Sequence, residues 1–353
     1  MYTLSFCTNI TFKILFSKNK VLKYQKPQPI KANKKTDQDH FFKLYDFGEL
    51  SLKYIKKLGK GTFSIVYLVE KNEKKYAIKI TNRLSSSRSI NKEIFILKTL
   101  QDIPNIIKLH WTYKSPFNPT IMAFEYFESS NFQQVCKAND KQRPVIIRKL
   151  LQTMSKVHQL RILHLDLKTD NLLIKLREDD SDVRIIDWGT AMIINNQKYS
   201  QRRTTISYRA PEVFDSENEN VNYNEKNDIW SIGIILLEII INHYFIFSSK
   251  EYSGKKIYLR EEQLKLLKNE IELIKSYMIN EYTLKNNENF SQSEKSYISI
   301  MGENNGYEKL KRIPDIEKDF LFKILEIDPN LRFNSEKALE HEYINSSFIE
   351  NQN

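Results

Sequence analysis

The feature that most constrains the fold is a change in residue pattern near Ser130. Before it, short β-prone segments alternate with turn residues, and one segment, Ser89–Leu100, has apolar residues at helical spacing. After it, helical patterns dominate, as in Val145–Leu160 and Asp228–Ile241. This order predicts an α+β protein of two lobes: a small antiparallel β-sheet with one main helix, and a larger, mostly helical lobe.

The pattern also predicts where the lobes begin and end. We expect the first lobe at residues 46–128 and the second at residues 129–346, with a looped insertion at about residues 280–306 that is rich in Asn and Ser. Residues 1–45 lack periodicity and are expected to form a basic, disordered arm, and residues 347–353 form a tail. A chain of 353 residues is long enough for two cores.

A glycine-containing turn between two predicted strands is a candidate phosphate-binding loop. Gly59 and Gly61 carry no Cβ, so the main chain there can approach phosphates closely. A Rossmann or P-loop motif would place a helix after the glycines, and the strand–turn–strand context argues against both. An ordinary hairpin turn would also explain the glycines, so the turn alone does not establish a phosphate site. Its candidate binding residues are Leu58, Gly59, Gly61, Ser64 and Val66.

Ala77-Ile78-Lys79 lies on the next predicted strand and strengthens the phosphate hypothesis. Lys79 would reach the α- and β-phosphates of a nucleotide, held in place by an acid from the single helix of the small lobe. Glu93 is that acid by position, although a solvated helix charge would also explain it.

The run His164–Asn171, named the catalytic loop, precedes Asp187-Trp188-Gly189. Asp166 is the candidate base for a substrate hydroxyl, and Lys168 would neutralise charge on a transferred phosphate. Asn171 and Asp187 offer the hard oxygen ligands that Mg²⁺ prefers. Phosphoryl transfer needs mainly this positioning and charge neutralisation, so the set predicts that reaction.

Ala210-Pro211-Glu212 closes the segment that begins at Asp187, and residues 187–212 are named the activation segment. Thr205 is expected to bridge Asp166 and Lys168 with its hydroxyl. Two structural pairings are also expected: Glu212 with Arg332, and Asp228 with main-chain N–H groups of the catalytic loop.

In these motifs and their order, residues 50–346 resemble the eukaryotic protein kinase family. Within that family the chain is most similar to the casein kinase II catalytic subunit. Ser64 replaces the third glycine of the phosphate loop, Trp188 replaces the usual Phe, and the activation segment is short. The resemblance implies transfer of phosphate to Ser or Thr from ATP, with GTP as an alternative donor and Mg²⁺ as the metal.

The resemblance also implies how adenine would bind. Main-chain groups of Glu125 and Phe127 would hydrogen-bond its edge. Four apolar side chains would sandwich its ring: Val66, Ala77, Leu173 and Ile186.

Departures from the family pattern affect regulation and substrate choice. Leu165 stands where most such kinases have the Arg that binds a phosphate on the activation segment, so we expect activity without phosphorylation there. Arg202, Arg203 and Arg209 keep positive charge near the substrate site, which predicts acidic protein substrates, although Ile206 replaces a basic residue. These arginines could equally hold the activation segment in place.

The net charge of +11 comes mainly from the arm, because residues 1–35 hold eight lysines and no acid, which leaves +3 elsewhere. We therefore predict no specific nucleic-acid partner, and the arm would add at most salt-sensitive, sequence-independent binding. No apolar run reaches the roughly 18 residues of a membrane helix. Cys7 and Cys136 share no metal or disulfide spacing, so we expect reduced thiols and a location in the cytoplasm or nucleus.

Two other functions remain open on the sequence. The first is a pseudokinase or scaffold, which binds nucleotide or partners without catalysis. The second is a cyclin-dependent-like kinase, although residues 87–93 lack the cyclin-binding helix signature. A regulatory subunit is a further expected partner under the casein kinase II resemblance.

Overall fold

The computed structural model describes residues 50–61, 63–81, 86–114, 119–178, 180–194, 204–215, 223–242, 271–272, 274 and 306–349. The small lobe comes first along the chain, with the elements β1 (Lys53–Lys60), β2 (Ser64–Lys71), β3 (Lys74–Thr81), α1 (Ser87–Thr99), β4 (Leu109–Tyr113) and β5 (Ile121–Glu125). The larger lobe comes next, with the elements α2 (Phe132–Val135), α3 (Gln142–Gln159), β6 (Ile162–Leu163), β7 (Leu172–Leu176), β8 (Ser181–Ile185), β9 (Met192–Ile193), α4 (Pro211–Asp215), α5 (Glu225–Ile241), α6 (Gly306–Arg312), α7 (Asp315–Ile324), α8 (Ser335–Glu340) and α9 (Glu342–Ile349).

The small lobe is an antiparallel sheet with the strand order β1-β2-β3-β5-β4. Asn72 and Glu73 form the two-residue turn between β2 and β3 with φ angles of 49° and 63°. Turns of this kind match the twist of the strands they join. Val66 lies opposite Lys79 in the register, and cross-strand partners share a face of the sheet. Ala77, two residues from Lys79, lies on that face too.

α1 covers this sheet and brings an acid to its inner side. The Ser86 side chain caps the helix by accepting a hydrogen bond from the N–H of Ser89 at 3.1 Å. Ile90 and Ile94 pack with Met122 of β5, and Glu93 is buried beside them.

α5 is the centre of the larger lobe, because every residue from Asn227 to Ile241 is buried. A capping box between Asn224 and Asn227 starts the helix, and Asn242 ends it with a φ of 57°. α3 packs beside α5, and the apolar residues of its buried face join the same core: Ile146, Ile147, Leu150, Leu151, Met154 and Val157.

The α+β fold predicted from the sequence, a small antiparallel sheet with one helix and a helical larger lobe, is confirmed. α5 begins at Glu225, earlier than the apolar run suggested, because the polar residue Asn224 supplies its cap. Residues 1–45 and 280–305 lie outside the described residues, so the arm and the insertion stay predictions. α9 continues past the boundary predicted at residue 346 to Ile349. Within the described ranges, no helix has the length and apolar character needed to cross a membrane.

Candidate active site

Lys79 is the centre of a charged cluster that joins both lobes. Its ammonium donates hydrogen bonds to Glu93 Oε1 at 2.7 Å and to Asp187 Oδ1 at 2.8 Å. Burial lowers the pKa of Lys79, but the charges of Glu93 and Asp187 outweigh it, and the pKa lies above its ordinary value. Burial raises the pKa of Asp187, and Lys79 more than offsets this effect, so that pKa is lowered. Lys79 and Asp187 are therefore both charged at neutral pH.

The carboxylate of Asp166 is held at both of its oxygens. Oδ1 accepts hydrogen bonds from the hydroxyl and from the main-chain N–H of Thr205. Oδ2 lies 2.9 Å from the Lys168 ammonium, which also donates to the Thr205 hydroxyl at 3.1 Å. The Thr205 bridge that the sequence predicted is therefore present.

Asn171 and Asp187 suit the magnesium ion that the resemblance implies. Asn171 donates its amide N–H groups to the main-chain oxygen and to Oδ2 of Asp166, at 2.7 and 3.0 Å, so its amide oxygen is the atom left for a cation. The Asp187 side chain is 49% exposed. Among the described residues, no group of three or more His, Cys, Asp and Glu side chains could hold an ion. This donor set fits Mg²⁺, which combines few protein oxygens with phosphate oxygens; the ligand roles stay predictions.

The catalytic loop is anchored to the core of the larger lobe. Asp228 of α5 accepts the N–H groups of His164 at 3.0 Å and Leu165 at 2.9 Å, as predicted. Its Oδ2 also lies 3.0 Å from Nε2 of His158. Burial raises the pKa of Asp228, but these contacts outweigh it, and the pKa lies below its usual range.

His164 connects the catalytic loop to the start of the activation segment. Its Nδ1 accepts the N–H of Asp166 at 3.2 Å, and its Nε2 lies 3.0 Å from the carbonyl oxygen of Ile186. This pairing requires the hydrogen on Nε2. The ring also makes an edge contact with the fully buried Trp188, with 4.6 Å between centroids.

Leu165 and Asp187, which come directly after His164 and Ile186, have φ angles of 62° and 59°. Non-glycine residues adopt this left-handed conformation at a cost of about 1–3 kcal/mol, and outside turns and helix ends such residues cluster at functional sites.

The residues predicted to surround adenine lie at the border between the lobes. All four apolar side chains are partly exposed, as a binding cleft requires: Val66, Ala77, Leu173 and Ile186. Leu58 is 41% exposed. A Cβ at Gly59 would meet nothing within 4 Å, and the N–H of Gly61 bonds to Ser64 O at 2.9 Å. The turn is thus closed by its own main chain and leaves open space beside Gly59.

At the predicted adenine edge, Glu125 is hydrogen-bonded to Lys108, the residue before β4. Its N–H donates to Lys108 O at 2.9 Å, and its Oε1 accepts the N–H of Lys108 at 3.0 Å. Phe127 lies in the connection to the larger lobe and is partly exposed.

Of the three arginines predicted to contact substrate, Arg202 and Arg203 lie outside the described residues. Arg209 is buried, and its guanidinium donates to the hydroxyl of Thr204 at 3.0 Å and to its carbonyl at 2.8 Å. These contacts are those of a residue that holds the activation segment, the other role considered for the arginines.

A buried polar network under the activation segment was not predicted from the sequence. The Tyr208 hydroxyl donates to the Glu238 carboxylate, 2.9 and 2.8 Å from its two oxygens, and Thr169 donates to Glu238 at 3.1 Å. Burial and the charge of Glu238 raise the pKa of Tyr208. The signal that could have revealed it was Glu238 itself, an acid within the apolar helix α5.

The predicted pairing of Glu212 with Arg332 is present as two hydrogen bonds of 2.8 and 2.9 Å. Arg332 is 1% exposed, and its guanidinium also lies 4.8 Å from the ring centroid of Trp230. This bidentate contact ties the end of the activation segment to the base of the larger lobe.

Comparison with known proteins gives a family match over most of the chain. The family model described as the protein kinase domain matches residues 52–344. Myosin light chain kinase A of Dictyostelium discoideum is 34% identical over 209 residues, 55% of this chain and 65% of that protein. Serine/threonine-protein kinase cds1 of Schizosaccharomyces pombe is 35% identical over 202 residues, 52% of this chain and 43% of that protein.

A probable cyclin-dependent serine/threonine-protein kinase of Dictyostelium discoideum is 25% identical over 297 residues, which cover 82% of this chain and 20% of that protein. Each of these matches spans less than two thirds of the relative's own length.

Proposed function

The chain belongs to the protein kinase domain family, and from this premise we propose that it transfers the terminal phosphate of ATP to serine or threonine hydroxyls of proteins. The observation that carries the proposal is the contact of Lys79 with both Glu93 and Asp187. This contact joins the phosphate-binding strand, α1 and the start of the activation segment in one charged cluster. Relatives named as serine/threonine kinases support the choice of acceptor hydroxyls.

Each charged group has a separate role in the proposed reaction. Lys79 binds the α- and β-phosphates while Glu93 holds its ammonium in place. Asp166 accepts the proton of the substrate hydroxyl as its oxygen attacks phosphorus, and Lys168 offsets charge on the transferred group. Asn171 and Asp187 would hold Mg²⁺, which supplies positive charge at the phosphate oxygens when bound.

A scaffold without catalysis is the main alternative, and the site's organisation favours the enzyme. Binding alone would not require Asp166 to be fixed by both Thr205 and Lys168 beside the predicted metal ligands. The test is transfer of labelled γ-phosphate from ATP to a protein mixture, with and without Mg²⁺. We expect Asp187→Ala to lower the rate at least about 100-fold.

The control for that test is Asp182→Ala, which removes a carboxylate of β8 that pairs with the exposed Arg177. We expect this variant to keep wild-type activity. A folded wild-type protein that transfers no phosphate under these conditions would contradict the proposal in favour of the scaffold.

We also propose activity without phosphorylation of the activation segment. Leu165 is 1% exposed and offers no charge to a phosphate. Arg209 holds Thr204 inside the same segment, which supplies a tether that needs no modification. Protein made in bacteria and treated with phosphatase should phosphorylate peptides as fast as untreated protein, and an inert treated sample would overturn this proposal.

The casein kinase II-like branch, its acidic substrates and use of GTP are proposals that rest on Ser64, Trp188, Arg202 and Arg203. The inward contacts of Arg209 reduce the positive charge available to a substrate. Phosphorylation of a degenerate peptide library should show acidic residues after the target Ser or Thr. A basic or apolar preference would contradict the branch, and rates with ATP and GTP test the donor.

The cyclin-dependent-like alternative takes its support from the relative that matches 82% of this chain. Kinases of that type depend on a partner, whereas the Lys79–Glu93 pair forms within this chain at 2.7 Å. We therefore propose that a regulatory subunit would tune the enzyme rather than assemble its site. The proposed location is the cytoplasm or nucleus, which imaging of a tagged protein would test.

A further inference from the structure

A side chain outside the expected catalytic set lies against the connection between the lobes. Arg184 is on β8, and its Nε donates a hydrogen bond to Glu125 Oε1 at 3.0 Å. Its guanidinium also lies over the ring of Phe127, with 5.0 Å between Cζ and the ring centroid. Glu125 and Phe127 are the two residues whose main chains are expected to bind adenine. Arg184 therefore joins the larger lobe to the segment that would hold the base.

The surroundings of Arg184 and Glu125 limit the movement of both side chains. The side chains of Arg184 and Glu125 are only 28% and 22% exposed, so water screens the pair less than it screens an open surface pair. Glu125 Oε1 also accepts the N–H of Lys108 at 3.0 Å. One carboxylate oxygen is thus fixed by Lys108, the residue before β4, and by Arg184 of β8.

The strand register places Arg184 beside the expected adenine contact in the larger lobe. Arg184 lies opposite Leu173 in the β7–β8 pair, and cross-strand partners share a face. Leu173 is one of the apolar residues expected to touch the base. Arg184 is therefore next to the segment expected to bind the edge of adenine and next to Leu173, which is expected to touch the ring. It is not among the residues assigned a role in phosphate transfer.

We propose that Arg184 is a positioning residue that sets the adenine site through Glu125 and Phe127. The inference rests on the proposed function, because it concerns the binding of the same nucleotide. The contact holds the main chain of residues 125–127 in its binding geometry before the nucleotide arrives. Binding therefore costs this segment less conformational entropy. Loss of the contact should weaken nucleotide binding and leave the chemical step unchanged.

The test is steady-state kinetics and direct binding of ATP with Arg184→Met, which keeps the unbranched stem of the side chain but removes its charge and planar group. We expect the KM and Kd for ATP to rise about three- to tenfold, with kcat and the KM for peptide within about twofold of wild type. Arg184→Lys keeps the charge, so its KM and Kd for ATP should lie between those of the wild type and those of Arg184→Met. It replaces Arg184→Met in the test if that variant does not fold. Arg177→Met, on the same hairpin, is the matched control and should behave as wild type.

A double-mutant cycle separates this role from general packing. Glu125→Gln can still accept the N–H of Lys108 but loses the charge that pairs with Arg184, while the ring contact with Phe127 remains, so the effect of Arg184→Met should be smaller in that background. Additive effects, or a fall in kcat with an unchanged KM for ATP, would overturn the inference. A wild-type protein that neither binds ATP nor transfers phosphate would instead contradict the proposed function, whereas an active wild type with an unchanged Arg184→Met variant contradicts this inference alone.

Discussion

At the scale of single residues, the hydroxyl of Thr205 has two roles in positioning the proposed catalytic groups. It donates a hydrogen bond to Asp166 and accepts one from Lys168 at 3.1 Å. Hydrogen bonds to charged groups contribute about 1.5–3 kcal/mol. Without the hydroxyl, Asp166 keeps its contact of 2.9 Å with Lys168, the main-chain N–H of Thr205 and the side-chain amide of Asn171, but the bridge between Asp166 and Lys168 is lost.

We predict that Thr205→Val, which keeps the branched shape, lowers kcat about 10- to 100-fold, because one charge-assisted hydrogen bond to each partner is lost. The KM for ATP should change little, since Thr205 is not among the residues expected to contact nucleotide. Thr205→Ser retains the hydroxyl and should keep most of the activity. Kinetics with saturating ATP would check this, and equal kcat values for the Val and Ser variants would refute the assigned role.

The sequence predicted the residues of local motifs and some contacts between those motifs, such as Glu212 with Arg332, and it missed contacts of residues outside any motif. Lys79, Asp166 and Asp187 could be identified because each stands in a short motif of fixed spacing, and Glu93 by its position in the single helix of the small lobe. By contrast, the hydrogen bond from Arg184 to Glu125 joins residues 59 positions apart that share no motif. The two residues lie in different sheets and meet only where the lobes adjoin, so side-chain pattern alone could not indicate this contact.

At the scale of elements, α5 shows why a helix can require glycine in its interior. A Cβ on Gly233 would lie 2.6 Å from Cδ2 of Leu325 and 3.2 Å from Cγ1 of Ile324, both fully or almost fully buried. Replacing Gly with Ala inside a helix normally stabilises it by about 1 kcal/mol. Overpacking a core costs about 1–3 kcal/mol, so the steric effect should dominate here.

We predict that Gly233→Ala lowers the free energy of unfolding by about 1–2 kcal/mol, measured by urea denaturation. Adding Leu325→Ala to this variant removes the opposing atoms, so the double variant should lose less stability than the sum of the two single variants. A stabilised Gly233→Ala protein would show that helix propensity dominates and that the end of α7 moves readily.

The same elements also show the limits of sequence patterns. The apolar run of α5 predicted a buried helix because it exceeds what a strand needs, and the turn residues between the β-prone segments predicted the antiparallel pairing of β2 and β3. The start of α5 was wrong by three residues, since Asp228 faces the catalytic loop instead of capping the helix. Tertiary contacts, rather than local preference, determine the role of that acid.

At the scale of the whole molecule, buried ionisable groups should limit the pH range in which the protein is stable. The pKa of Asp228 is lowered when folded. Burial raises the pKa of Tyr208 beside Glu238 and of Tyr343, which donates to Glu317 at 2.7 Å in the base of the larger lobe. The first group favours folding when ionised, and the two phenols favour it when protonated.

We predict that the midpoint temperature of thermal denaturation is constant over a middle range of pH and falls at both lower and higher pH. The contribution of Asp228 is present above its unfolded pKa of about 3.9 and is lost as pH falls through the lower folded value. That of Tyr208 and Tyr343 is present below about pH 10 and is lost as pH rises through their higher folded pKa values. Thermal denaturation from pH 3 to pH 11 measures both falls.

Two variants test which groups cause each fall of the midpoint temperature. Tyr343→Phe should reduce the fall at alkaline pH. Asp228→Asn should reduce the fall at acid pH and also lower the stability at neutral pH. If Tyr343→Phe leaves the fall at alkaline pH unchanged, other groups must be responsible for it.

Asp228 also determines which lobe the catalytic loop belongs to. Because it holds the main chain of His164 and Leu165 against α5, the candidate base Asp166 is fixed to the core of the larger lobe. Any separation of the two lobes would therefore have to break the hydrogen bond of 2.8 Å from Lys79 to Asp187, while Asp166 and Asp187 stay together on the larger lobe.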